Sequence, residues 1–97
     1  MESIDHIAIV VTNINHAVNW YTKNRDCEVI YQYESWADLQ FENIKLALVL
    51  PHEHPAHIAF VDDSIENGTK HRDGSESVYD HDTFGNIIEK IKYETTK

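Results

Sequence analysis

The apolar positions of this chain fall into short runs, most of them spaced for strands. Residues 4–11 read Ile-Asp-His-Ile-Ala-Ile-Val-Val. On an extended backbone, Ile4, His6, Ala8 and Val10 face one way and Ile7, Ile9 and Val11 the other. A strand apolar on both sides needs an element packed against one of them. The next segment supplies it. Thr12-Asn13 offers a cap, and Ile14, Ala17, Val18 and Tyr21 recur at helical spacing, which predicts a helix ending near Asn24. The reversal at 24–27 contains no glycine, so Asn24 or Asp26 is expected to adopt a left-handed conformation there. Strands are predicted over 28–33, 36–41 and 45–50, the last two joined by a tight turn at Glu42-Asn43-Ile44. Pro51-His52-Glu53-His54-Pro55 can only be a connector, because its prolines exclude regular structure.

After the connector the order β-α-β-β-β starts again, with its helix reduced. A strand over 56–61 leads into Asp62-Asp63-Ser64-Ile65-Glu66-Asn67-Gly68, which has room for one or two helical turns at most. Strands over 69–72, 76–82 and 86–93 follow. The expected fold is α+β: one domain over 1–97 built from paired βαβββ modules. Module one spans 1–50, the connector 51–55 and module two 56–97. A shortened second helix leaves Ile58 and Phe60, on the face opposite His57, without a cover, and a homodimer is the expected remedy.

The two halves share more than their order. His6-Ile7-Ala8-Ile9-Val10 returns as His57-Ile58-Ala59-Phe60-Val61, with four of five positions identical. Two facing copies of one unit bring these histidines together. In the last strand, period-two reading sets Glu89 among Ile87, Ile91 and Tyr93, an apolar face where a carboxylate needs a partner or a metal. Two imidazoles and one carboxylate make the facial set that suits a divalent transition metal with open positions, and iron, manganese, nickel, cobalt and zinc are all compatible with it. The strand over 45–50 offers no further ligand from Leu46, Leu48 and Leu50. His52 and His54, with His57, form a competing cluster, but the prolines around them favour a solvated loop. Ser77, Tyr79 and His81 share one face of the penultimate strand and are placed to line a cavity; Tyr79 is either a cross-strand aromatic or a donor to a substrate oxygen.

Charge and composition narrow the remaining classes. The net charge of −9 repels phosphate backbones, so nucleic-acid binding is not expected. No apolar run is long enough to span a bilayer, and the first residues lack a secretory pattern, so a cytoplasmic location without membrane contact is expected. Cys27 is the single cysteine and reads as a small semi-buried residue.

These residues resemble the vicinal oxygen chelate superfamily, which includes glyoxalase I, methylmalonyl-CoA epimerase, extradiol dioxygenases and the fosfomycin- and bleomycin-resistance proteins. The anchors are residues 5–11, the helix segments Asn13-Ile14 to Ala17 and Trp20-Tyr21, the strand 57–61, and Tyr79 through Asp82-Thr83-Phe84-Gly85-Asn86 to Glu89. The resemblance implies a concave site with His6, His57 and Glu89 at metal-ligand positions, and Ser77 and Tyr79 at positions that contact substrate. It implies a small, glyoxalase-like enzyme of isomerase or lyase type, acting on an oxygen-bearing small molecule chelated to a divalent metal. The alternative it implies is a metal-free binding protein of the bleomycin-resistance type. Thr83 departs from the family's proline, Arg25-Asp26-Cys27 from its Leu-Gly-Phe, and the basic residues that fosfomycin-type members place beyond the last strand are missing, which argues against a phosphonate substrate.

Overall fold

In the computed structural model, which describes residues 1–94, strand β1 (Ile4–Val10) leads into helix α1 (Ile14–Asn24) and then β2 (Glu28–Gln32), β3 (Trp36–Gln40) and β4 (Lys45–Val49). The second half holds β5 (His57–Val61), β6 (Thr69–Lys70), β7 (Glu76–His81) and β8 (Ile87–Lys92). All eight strands join one curved, unclosed sheet in the order β2-β3-β4-β1-β5-β8-β7-β6. The halves meet inside a single chain, where β1 pairs antiparallel with β5. β1 pairs parallel with β4, and β5 parallel with β8, so each half repeats the other's strand order.

Helix α1 starts where the Asn13 side chain accepts a hydrogen bond from the His16 amide, 2.9 Å away. Its apolar stripe seals one face of module one. Ile14 and Val18 pack with Ala37, Leu39 and Leu48, and Ile9, Val11, Tyr21, Cys27 and Leu46 close in around them. The chain leaves the helix without the expected left-handed residue. Arg25 is extended (φ −135°) and donates its N–H to Tyr21, while the Asn24 side chain satisfies the Trp20 carbonyl at 2.8 Å, which removes the need for a backbone cap.

Among the described residues no second helix forms, not even the one or two turns expected over 62–68. The Asp62 carboxylate accepts from both the Ser64 amide (3.0 Å) and its hydroxyl (2.6 Å), a local turn that competes with helix. The loop then lies down on the sheet: Ile65 is buried, Lys92 donates to the Ile65 carbonyl, and a Cβ on Gly68 would sit 2.6 Å from the Ser77 carbonyl oxygen. β6 is shorter than expected because His71 to Ser75 already closes the turn into β7. Ile58 stays 40% exposed on the face that a helix covers in module one.

Candidate metal centre

The concave face is organised in cross-strand rows. One row runs Gln40, Lys45, His6, Ala59, Glu89, Tyr79, and the next runs Asp38, Ala47, Ala8, His57, Ile87, His81. The matched histidines therefore sit in adjacent rows on neighbouring strands, with Glu89 one strand further on. Their side chains converge. Glu89 Oε1 lies 3.1 Å from His6 Nε2 and 3.1 Å from His57 Nε2, and the two nitrogens are 3.3 Å apart. Among the described residues this is the one group of three or more His, Cys, Asp or Glu side chains close enough to share an ion. His52 and His54 lie in the connector and do not join it.

Each imidazole is turned to present Nε2. His57 Nδ1 is 2.8 Å from the Pro55 carbonyl oxygen, which can only accept, so Nδ1 donates to it and Nε2 is the nitrogen turned toward Glu89. His6 Nδ1 is 2.7 Å from Asp5 Oδ2. Asp5 reaches that position because the β1–β5 register slips between Ile4 and His6, a bulge that places an extra residue beside the histidine. Glu89 has its own support. Ser77, buried on β7, helps to hold its carboxyl low, and the Ser77 hydroxyl lies 2.7 Å from His71 Nε2.

The electrostatics follow from this packing. Burial opposes charge on His6, but the hydrogen bonds and charges of Asp5 and Glu89 outweigh it and raise the imidazole to about 9. Burial likewise favours a neutral Glu89, and the hydrogen bonds from His57, His6 and Ser77 overcome it and hold the carboxyl well below the usual range. Tyr79 is pushed up to about 12 by burial and then by the Glu89 charge, so its hydroxyl is a proton donor at neutral pH. Half exposed, its ring meets the His57 ring edge-on at 5.4 Å.

The donor set fits a divalent transition metal. Bonds of about 2.1 Å in an octahedral arrangement separate adjacent ligand atoms by about 3.0 Å, close to the spacing of these three. Of the three side chains His6 keeps the most exposure, 14% against 5% for His57 and 6% for Glu89.

Four participants escaped the sequence reading. Asp5 was hidden by the bulge, since strict alternation turns it away from His6. Lys45 was legible, because the residues of β4 that share a face with His6 are Lys45 and Ala47 rather than Leu46, Leu48 and Leu50, which pack toward α1. Tyr93 already stood on the Glu89 face, and its hydroxyl donates to Asp5 Oδ2 at 2.7 Å. Asp38 also lies on the concave face, with its carboxyl raised first by burial and eased by Lys45 and His6.

No family model and no curated protein matches the chain. Solved structures do. A hypothetical protein from Bacillus halodurans superposes with TM-score 0.78 at 18% identity, covering 99% of this chain and 97% of that one. Streptomyces coelicolor methylmalonyl-CoA epimerase (S115T), in complex with 2-nitronate-propionyl-CoA, gives 0.77 at 17% identity over 98% of this chain and 96% of the other. A methylmalonyl-CoA epimerase in complex with methylmalonyl-CoA and NH4+ gives 0.78 at 17% over 100% and 98%. The likeness is one of fold.

Proposed function

We propose that this chain is a metal-dependent isomerase of the vicinal oxygen chelate type, acting on a small molecule that presents one or two oxygens to a divalent ion held by His6, His57 and Glu89. The observation that carries the reading is the donor triangle of 3.1, 3.1 and 3.3 Å, in which both imidazoles are oriented through Nδ1. The shared fold of two methylmalonyl-CoA epimerase structures, whose bound molecules are CoA esters, supports isomerisation as the reaction class.

When bound, the metal polarises a substrate oxygen and stabilises negative charge that develops on it. The protein's own part is positioning and proton movement. Tyr79, protonated and half exposed beside His57, donates a hydrogen bond to a substrate oxygen. Asp38, with its pKa raised, accepts a proton from substrate across the small floor of Ala47 and Ala8 and returns it to the rearranged product. Ser77 is buried beside His71, so of the two residues expected at the substrate Tyr79, half exposed, makes the outer contact and Ser77 backs the wall behind it. The open convex face of module two is covered by a second copy of the chain, which makes the working unit a homodimer.

Metal analysis of untagged protein, alongside His6→Ala, His57→Ala and Glu89→Gln, tests the centre. One divalent ion per chain, lost in each variant, is the expected result. No metal in the parent, and no thermal stabilisation by added divalent ions, overturns it and leaves a metal-free binding protein. Tyr31, its ring 4.5 Å from that of Trp36 on the same face as Asp38, then becomes the platform for a ligand.

A further inference from the structure

We propose that Asp5 is a positioning residue for the metal centre: its carboxylate, delivered by the bulge in β1 and locked by Tyr93 and Lys45, fixes the proton of His6 on Nδ1 and strengthens Nε2 as a ligand. The inference rests on His6, His57 and Glu89 holding a metal.

The two histidines of the triangle are held by unlike partners. Behind His57 stands a neutral acceptor, the Pro55 carbonyl. Behind His6 stands a charged one, and a carboxylate draws an imidazole N–H more strongly than an amide oxygen does. That pull makes the opposite nitrogen more basic, the effect seen generally when a ligating histidine is backed by a carboxylate. Charge balance points the same way. A divalent ion with two neutral imidazoles and Glu89 leaves one positive charge in a site where His57 and Glu89 side chains are only 5% and 6% exposed. Asp5, at 12% exposure, places a negative charge one residue away from the ligand and shares it with Lys45 at 3.7 Å.

Asp5 is itself held from two strands outside its own. The Tyr93 hydroxyl, on the continuation of β8, donates to Oδ2 at 2.7 Å, and Lys45 Nζ on β4 lies 3.7 Å from the same oxygen and 3.4 Å from the Tyr93 oxygen. Oδ2 thus gathers His6, Tyr93 and Lys45 at one point. Without the bulge, alternation would turn Asp5 to the opposite face and break all three contacts. The carboxylate therefore owes its place in the site to that one register slip.

Cobalt(II) is the probe, because its visible spectrum reports ligand number and its titration gives an affinity. Full-length parent, His6→Ala, Asp5→Asn, Asp5→Ala and Tyr93→Phe are compared, with circular dichroism to establish that each is folded. The proposal expects Asp5→Ala to weaken cobalt binding 10- to 100-fold, Asp5→Asn by less because its amide oxygen still accepts from Nδ1, and Tyr93→Phe least. It also expects the Asp5→Ala spectrum to shift as His6 loses its orientation. Cobalt affinity and spectrum within about twofold of the parent in both Asp5 variants, with binding still lost in His6→Ala, overturn the role of Asp5 and leave the centre standing. If Asp5→Ala does not fold, Asp5→Asn and Tyr93→Phe decide the question by the same limits. A parent that binds no cobalt overturns both.

Discussion

Module one and module two share a strand order and a histidine-headed pentapeptide, yet they are finished differently. In module one, α1 lies across the sheet, and Leu39 and Leu48 beneath it have no exposed surface. In module two a loop replaces the helix, and Ile58, the repeat counterpart of Ile7, remains 40% exposed. The inward faces do not diverge in the same way. His6 and His57 both point Nε2 at Glu89 from matched strands. The covering of the sheet can therefore be removed without disturbing the face that carries the donors, because alternate residues of a strand belong to opposite faces and answer to separate packing.

The sharpest way to break this comparison is to truncate one side chain on each convex face. Leu48→Ala, under the helix, is expected to destabilise by about 2–5 kcal/mol, the range for a fully buried leucine. Ile58→Ala, on the uncovered face, is expected to change a dilute monomer by less than about 1 kcal/mol. Urea unfolding of the two variants measures both. Equal effects would mean that the second face is as well packed as the first and that the contrast between the modules is false.

A smaller effect separates the centre from the scaffold around it. In metal-free protein, His6 at about 9 lies above its ordinary value near 6.5, so its contribution to stability is complete below about 6.5 and is lost as pH rises through 9. Glu89 is displaced downward, so its contribution is present above about 4.5 and is lost as pH falls. A melting temperature that is highest between about pH 4.5 and 6.5 and declines toward pH 9 is expected. His6→Gln should lack the alkaline decline. A decline of unchanged size in that variant would assign it to groups elsewhere.

The convergence of His6, His57 and Glu89 is legible in the sequence, and the reason is geometric. Period-two alternation fixes which face His6, His57 and Glu89 occupy, and the repeat fixes that the histidines meet. What alternation cannot show is where it fails. Asp5 sits at the failure, and only the pairing of β1 with β5 reveals that the extra residue turns inward. Local side-chain chemistry overrode two further expectations. Asn24 satisfies the end of α1 from its own side chain, and Asp62 captures Ser64 before a second helix can begin. Both are short polar residues bonding to nearby backbone, a competition that apolar spacing does not register. Lys45 is a different case, because counting from His6 across the parallel pair sets it on the inward face and the apolar run of leucines drew attention to the wrong side.

The smallest expected effect concerns the uncovered face itself. Ile58 and Ile88 are register partners on β5 and β8, with Phe60 two residues along, and together they form an apolar strip where module one has its helix. Truncating Ile58 in a dilute monomer should matter little, for the reason already given. If a second copy of the chain covers the strip, the same residue becomes buried in the assembly, and its contribution must depend on protein concentration. Sedimentation at micromolar concentration is expected to give a dimer, and Ile58→Glu to give a folded monomer that binds added divalent metal as the parent does, since residue 58 points away from the triad. A parent that sediments as a stable monomer removes the dimer. The contrast between the modules would then mean that a strip of this size is tolerated in water, as isolated exposed apolar residues commonly are.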